Sequence, residues 1–131
     1  RQMCIRDRAG VEVISIKTVW DALSYSYNKE MVHNYWDIIE SVDGIMTTDI
    51  GALSCLSVAQ QKGFSIPDDL CIVAYDGTEI TELSYPELTV IQQDCAEIAR
   101  KCVESVLKMV DGEKVPELEL VPVRLIERGT T

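Results

Sequence analysis

Trp20, Thr48, Asp49 and Asp76 are the side chains whose types and places in the sequence allow recognition chemistry. Asp76 ends the segment 66–76, IPDDLCIVAYD, directly after the apolar run 70–74 and directly before Gly77. A carboxylate just past the C-terminal end of a strand lies where an open parallel sheet usually meets its ligand. A carboxylate accepts paired hydroxyl hydrogen bonds, and an indole covers the apolar face of a ring. With a hydroxyl added, the set suits a polyol or a sugar. Each residue also has a plainer role. Asp49 reads as a helix N-cap, Asp76 as a turn residue ahead of Gly77, Thr48 as the end of a strand and Trp20 as a cover for its own loop.

Catalysis finds little support. His33 is the single histidine and falls inside a helical stretch, away from the loops that hold the other candidates. No G-x-S-x-G, Walker loop or G-x-G-x-x-G occurs, and the carboxylates are scattered as on solvated surfaces. The expectation is a protein that is not an enzyme and needs no cofactor. Cysteines stand at 4, 55, 71, 95 and 102, without a C-x-x-C pair and odd in number. They read as buried free thiols that act as small hydrophobes. With one His and no ligand spacing, no metal site is expected. Unpaired thiols favour a reducing compartment, hence the cytoplasm.

The elements that must position these residues follow from periodicity. The run 11–16 (VEVISI) reads as a strand and 17–23 as the loop after it. A helix is expected from Ser24 to about Val42, with an inward stripe of Met31, Val32, Tyr35, Ile38, Ile39 and Val42. Asp43-Gly44 ends it before a strand at 45–47. Asp49 then caps a helix with Ala52, Leu53, Leu56 and Ala59 inward and Gly63 as its stop. A strand at 70–74, a long loop at 75–87 and an extended piece at 88–92 follow. Asp94 and Glu97 form a capping-box pattern. They head a helix that buries Cys95, Ile98, Ala99, Cys102, Val103, Val106 and Val110 and stops at Gly112. The stretch 118–126 is extended, with Pro122 at an edge or bulge. The order β-α-β-α-β-(β)-α-β gives an α/β fold, a mostly parallel sheet flanked by helices. The loops after three strands then share one edge, where Trp20, Thr48, Asp49 and Asp76 converge.

A chain of 131 residues has room for one core. No apolar run reaches the roughly 20 residues that span a bilayer. The sequence lacks an initiator Met and a signal peptide and reads as a piece of a longer protein. It holds 12 Lys+Arg against 22 Asp+Glu, a net charge of −10. Residues 1–8 hold three Arg and one Asp, which leaves −12 on residues 9–131. Such a surface is the opposite of what phosphate contacts need, so this part is not expected to touch nucleic acid. Residues 1–8 fit no element of the domain that follows and are set aside as non-native; residues 9–131 form the domain.

The block from TTDIGALSCLSVAQQKGFSIPDDL through CIVAYDGTEITELSYPELTVIQQD resembles the lactose-repressor (LacI) family of bacterial transcription regulators. In that family a polar residue and an Asp, commonly Asn-Asp, precede a helix with Ala three and Gly five positions after the Asp. Here these are Thr48-Asp49, Ala52 and Ser54. Gly63 with IPDDL resembles the G-x-x-V-P-x-D-V turn, YDGTE at 75–79 the loop with the effector-binding aspartate, and LIERGTT the final strand. By position Trp20 lies near the aromatic effector contact.

The resemblance implies the C-terminal subdomain of a type I periplasmic-binding-protein-like fold, incomplete because its opening strand and helix and most of the N-terminal subdomain are missing. It places helix 94–111 in that missing subdomain, so that the helix would expose an apolar stripe here. It implies effector contacts at Asp76, Thr48, Trp20 and Asp49, and a homodimer contact at Leu53, Leu56, Leu83 and Tyr85. Operator DNA would be bound only through a helix-turn-helix outside this sequence, and the effector would be a sugar or related metabolite. The alternatives are a sugar-binding receptor of a bacterial transport or chemotaxis system, and an enzyme with a Rossmann-like sheet such as a small hydrolase.

Overall fold

The computed structural model of the chain describes residues 10–17 and 24–131. In chain order these form α1 (Tyr25–Asn34), α2 (Trp36–Ile39), β1 (Gly44–Thr48), α3 (Asp49–Gln61) and β2 (Cys71–Asp76). A 3-10 turn (Glu79–Glu82), β3 (Thr89–Gln92), α4 (Cys95–Val110) and β4 (Arg124–Ile126) complete them. The strands lie side by side in chain order; β1 and β3 each run parallel to β2, and β4 runs antiparallel to β3. The architecture is thus α/β with a mostly parallel sheet, as the order of elements implied.

The register decides which side chains share a face. Ile45 pairs with Ile72, and Thr47, Ala74, Val90 and Ile126 form one row across all four strands. That face packs on α3, whose Ala52, Cys55, Leu56, Val58 and Ala59 are all buried, and on Leu70 and Leu88 at the strand entrances. The α3 sequence suits this position: small residues let the helix lie close to the sheet, and Gly63, at φ +87, ends it. Met46, Val73, Tyr75, Ile91 and Leu125 share the opposite face, where Met46 and Leu125 are exposed.

Four expectations are corrected. The helix expected from Ser24 to Val42 breaks at Tyr35, where φ −108 and ψ 17 leave the helical region. The break turns the inward stripe to Val32, Trp36 and Ile39, leaves Tyr35 exposed, and buries Trp36, which periodicity alone did not select. The Trp36 ring meets Phe64 edge-on at 5.1 Å and carries Lys62 Nζ at 4.9 Å from its centroid. Its Nε1 donates to Glu40 Oε2 at 2.7 Å.

Residues 11–16 pair with no strand among the described residues, and Val11, Val13 and Ile14 are all exposed, since no described element offers them a ladder or a face. The segment 118–126 contributes strand only at Arg124–Ile126. α4, expected from periodicity to bury seven residues and from the resemblance to expose its apolar stripe, buries none. Its Val103, Val106, Leu107, Met109 and Val110 are exposed because no described element covers their side. The helix is held locally instead. Asp94 Oδ1 accepts from Glu97 N at 3.0 Å as its N-cap, Arg100 bridges Glu97 and Glu104, and Lys101 reaches Glu119. The hydrogen bond from Arg100 holds the Glu97 carboxyl below its ordinary range.

The thiols divide. Cys55 is buried and desolvation pushes it up to about 12, Cys71 is half-buried, and Cys95 and Cys102 are exposed rather than buried. Among the described residues no helix is long and apolar enough to cross a membrane.

Candidate functional site

β1 ends at Thr48, in register with Tyr75, and β2 and β3 end one step later, with Asp76 opposite Gln92. The C-terminal edge of the parallel strands therefore gathers Thr48, Asp49, Asp76, Gln92 and Gln93. Trp20 falls outside the described residues.

Asp76 has φ +121, the only non-glycine among the described residues with positive φ, and Gly77 follows at φ +82. Such a backbone costs roughly 1–3 kcal/mol for a residue with a Cβ and persists only where the surroundings over-determine it. Here they do so from two sides. On the β3 side Gln93 donates its backbone N–H to Asp76 O at 3.0 Å and its Nε2 to Asp76 Oδ1 at 2.7 Å. Gln92 Nε2 donates to Gly77 O at 3.3 Å. The approach is close enough that a Cβ on Gly77 would lie 2.5 Å from Gln92 Cγ and 2.8 Å from its Cα.

On the α3 side stands Asp49, 3 % exposed. Its Oδ1 accepts from Gly77 N at 3.3 Å, and its Oδ2 accepts from Thr78 N at 2.7 Å and Thr78 Oγ1 at 2.6 Å. The expected N-cap role is corrected. Thr48 is the cap, its Oγ1 accepting from Gly51 N at 3.3 Å, while Asp49 is the first helical residue and turns its carboxylate across the edge to the next loop. Thr48 is exposed, and Asp76 is half-buried.

Behind the loop the network continues to the chain's last residues. Thr81 Oγ1 donates to Thr78 O at 2.8 Å, and Arg128 Nη1 donates to Thr81 Oγ1 at 3.1 Å and Leu88 O at 2.9 Å. Thr130, fully buried, accepts from Thr89 N at 2.9 Å and donates to Ile72 O at 2.7 Å. LIERGTT thus works as a strand followed by a clasp on β2 and β3.

A crevice of about 250 Å³ opens beside this edge, lined by Gln92, Gln93, Asp94, Cys95, Pro122 and Arg124. Gln93 joins it to Asp76. The sequence reading did not single out Gln93; the available signal was its place just past the end of a third strand, on the same edge as Asp76. The arrangement offers carboxylate and amide groups to hydroxyl-bearing ligands and holds no nucleophile–base pair among the described residues.

The four residues expected at a dimer contact separate. Leu83 and Tyr85 are 82 % and 90 % exposed at the tip of a loop that Gln60 pins by donating to Tyr85 O at 2.8 Å. Leu53 is partly buried against the core. Leu56, at 2 % exposure, fills the core and presents no surface to a partner, which corrects its placement there.

Residues 16–131 match the periplasmic binding protein-like domain family. The sucrose operon repressor of Streptococcus mutans is 38 % identical over 88 residues, which are 66 % of this chain and 28 % of that protein. The chain thus spans about a quarter of the length of the curated relatives it matches. A LacI family transcriptional regulator from Bifidobacterium animalis superposes with a TM-score of 0.85 at 26 % identity, over 98 % of this chain and 47 % of that one. A periplasmic binding protein/LacI transcriptional regulator from Alkaliphilus metalliredigens, complexed with D-xylulofuranose, gives 0.79 at 29 % identity, over 99 % and 49 %. The chain belongs to the periplasmic binding protein-like family, on the side of it occupied by the LacI-family transcription regulators.

Proposed function

We propose that this chain is the effector-sensing portion of a LacI-family DNA-binding transcription regulator, and that its effector is a sugar or a related polyol. The observation that carries the reading is the Asp76 carboxylate, set at the C-terminal edge of the parallel strands on a backbone at φ +121 and steadied by Gln93. A half-buried acceptor fixed at a sheet edge matches what sugar hydroxyls require. The relatives support the ligand class, one being named for a sucrose operon and another seen with D-xylulofuranose.

In this reading Thr48 is a second effector contact and Trp20 a stacking one. Operator DNA is bound by a segment other than residues 9–131, in keeping with their acidic charge, and the protein works in the cytoplasm as a homodimer. The bare apolar side of α4 would be covered by a second α/β subdomain. Effector binding changes operator affinity only through its differential affinity for two arrangements of the subdomains, a coupling of about 1–3 kcal/mol in typical systems. The protein turns over no substrate.

The experiment is selection of genomic fragments by the full-length protein, followed by titration with sucrose, D-xylulose and other sugars. Sequence-specific DNA binding that a sugar changes is the expected result. A full-length protein that binds sugar and has no DNA preference contradicts the regulator assignment.

A further inference from the structure

We infer that Asp49 is a positioning residue for the sugar site: it holds the loop after β2 so that Asp76 presents its carboxylate at the sheet edge, and it does not itself touch the ligand. The inference rests on the reading of Asp76 given above.

Three observations carry it. The first is occupancy. Both Asp49 oxygens are in use, Oδ1 by Gly77 N and Oδ2 by Thr78 N and Thr78 Oγ1, on a side chain only 3 % exposed. A carboxylate so engaged has little acceptor capacity or surface left for a sugar hydroxyl.

The second is where those bonds fall. They hold the two residues directly after Asp76, at the point where the backbone runs through positive φ at Asp76 and again at Gly77. A residue with a Cβ leaves that region when its neighbours are released. The Gly77 and Thr78 amides would then lose their acceptor, and the chain would settle into an ordinary extended or turn conformation. The Asp76 carboxylate would swing away from Gln93 Nε2.

The third is rigidity of the support. Asp49 sits in the first turn of α3, whose next residues are buried in the core, so its carboxylate is anchored to the packed core. The helix N-terminus favours the negative charge there. Behind the loop, Thr78 is tied through Thr81 to Arg128. The loop is thus clamped by groups from α3, β3 and the C-terminal tail.

Two measurements on the full-length protein test the inference. Without ligand, hydrogen exchange of the Gly77 and Thr78 amides should quicken about tenfold or more in Asp49→Asn, while amides of Ile72–Ala74 keep wild-type rates. Unchanged exchange at both amides overturns the inference. Thr78→Val, which removes only the hydroxyl bond, supplies the same test if Asp49→Asn folds poorly, with a smaller acceleration at Gly77. With ligand, sucrose and D-xylulose are titrated into wild type, Asp49→Asn, Asp76→Asn and the double variant. Asp49→Asn should weaken the sugar that binds by about tenfold or more, and should add little once Asp76 is Asn.

A general structural role would instead give additive losses in the double variant, and that result overturns the inference. So does wild-type affinity in Asp49→Asn alongside weakened binding in Asp76→Asn, an outcome that leaves the Asp76 reading standing. Unchanged affinity in Asp76→Asn refutes that reading first. If neither sugar binds the wild type, the sugar reading fails for both probes and the exchange rates alone decide the role of Asp49.

Discussion

The carboxylate of Asp49 and the hydroxyl of Thr78 lie 2.6 Å apart and join the head of α3 to the loop after β2 across 29 residues of sequence. One short contact thereby couples a helix buried in the core to the loop that shapes the candidate binding edge. It also shows how this fold makes a rigid rim from loop residues. Asp49, which reads in the sequence as a helix cap with a secondary claim to ligand contact, spends its carboxylate on the loop after β2, and the half-buried Asp76 is left to meet a ligand.

Gly77→Ala is expected to disturb that rim. A Cβ there would meet Gln92 Cγ at 2.5 Å and its Cα at 2.8 Å on a backbone at φ +82, and the Cα cannot give way as a flexible side-chain end can. The loss should be about 1–3 kcal/mol. Urea unfolding of the full-length protein checks it, and an unchanged midpoint with an unchanged slope would count against the close approach of the loop to β3.

Trp36→Ala removes the side chain that fills the break between α1 and α2, with its edge-on contact to Phe64 and its bond to Glu40. A buried Trp lost to Ala costs about 3–5 kcal/mol. A shift in thermal midpoint no larger than that of an exposed control such as Tyr35→Ala would show that the Trp36 site is not part of the core.

Cys55 sets an alkaline limit. Its folded thiol is pushed from 9.0 up to about 12 by burial, so below pH 9 both folded and unfolded chains keep the proton and there is no penalty. Between about 9 and 12 the unfolded thiol ionises while the folded one does not. The unfolded state then binds fewer protons, and stability falls with rising pH by up to about 1.4 kcal/mol per unit. Cys55→Ala should flatten this part of the stability–pH curve. In the native protein a thiol reagent near pH 8 should spare Cys55; rapid native labelling of Cys55 would contradict its burial.

Tyr85 and Leu83 stand clear of the fold on a pinned loop, which is the form an association surface takes. If they belong to the homodimer contact, Tyr85→Asp should lower the dimer fraction of the full-length protein in analytical ultracentrifugation while its circular dichroism stays as in wild type. A dimer of unchanged strength would remove this loop from the interface.

Much of this was legible in the sequence because the parallel strands and α3 are written in strong local signals. The Ala and Leu spacing of α3, the IPDDL turn and Gly63 are each read without help from distant residues. Trp36 was missed because a single break at Tyr35 resets the helical phase, and period counting assumes an unbroken helix. Periodicity reads the α4 stripe as buried and the family resemblance reads it as exposed; the structure exposes it, since periodicity reports what a helix could bury and not whether anything covers it. Asp49 was misread for a related reason: a helix-start aspartate favours capping by prior, whereas its true partners lie 28 and 29 residues away in the next loop. Only the register of β1 and β2 brings those groups together.

The central claim is that Asp76 senses the effector. It is tested most directly by operator binding of full-length wild type and Asp76→Ala, followed by fluorescence anisotropy as the sugar that acts on the wild type is raised. The account expects Asp76→Ala to bind the operator as tightly as wild type and to show no response at sugar concentrations that saturate the wild type. A response at wild-type concentrations would contradict it, and the sensing group would have to be sought elsewhere along the sheet edge.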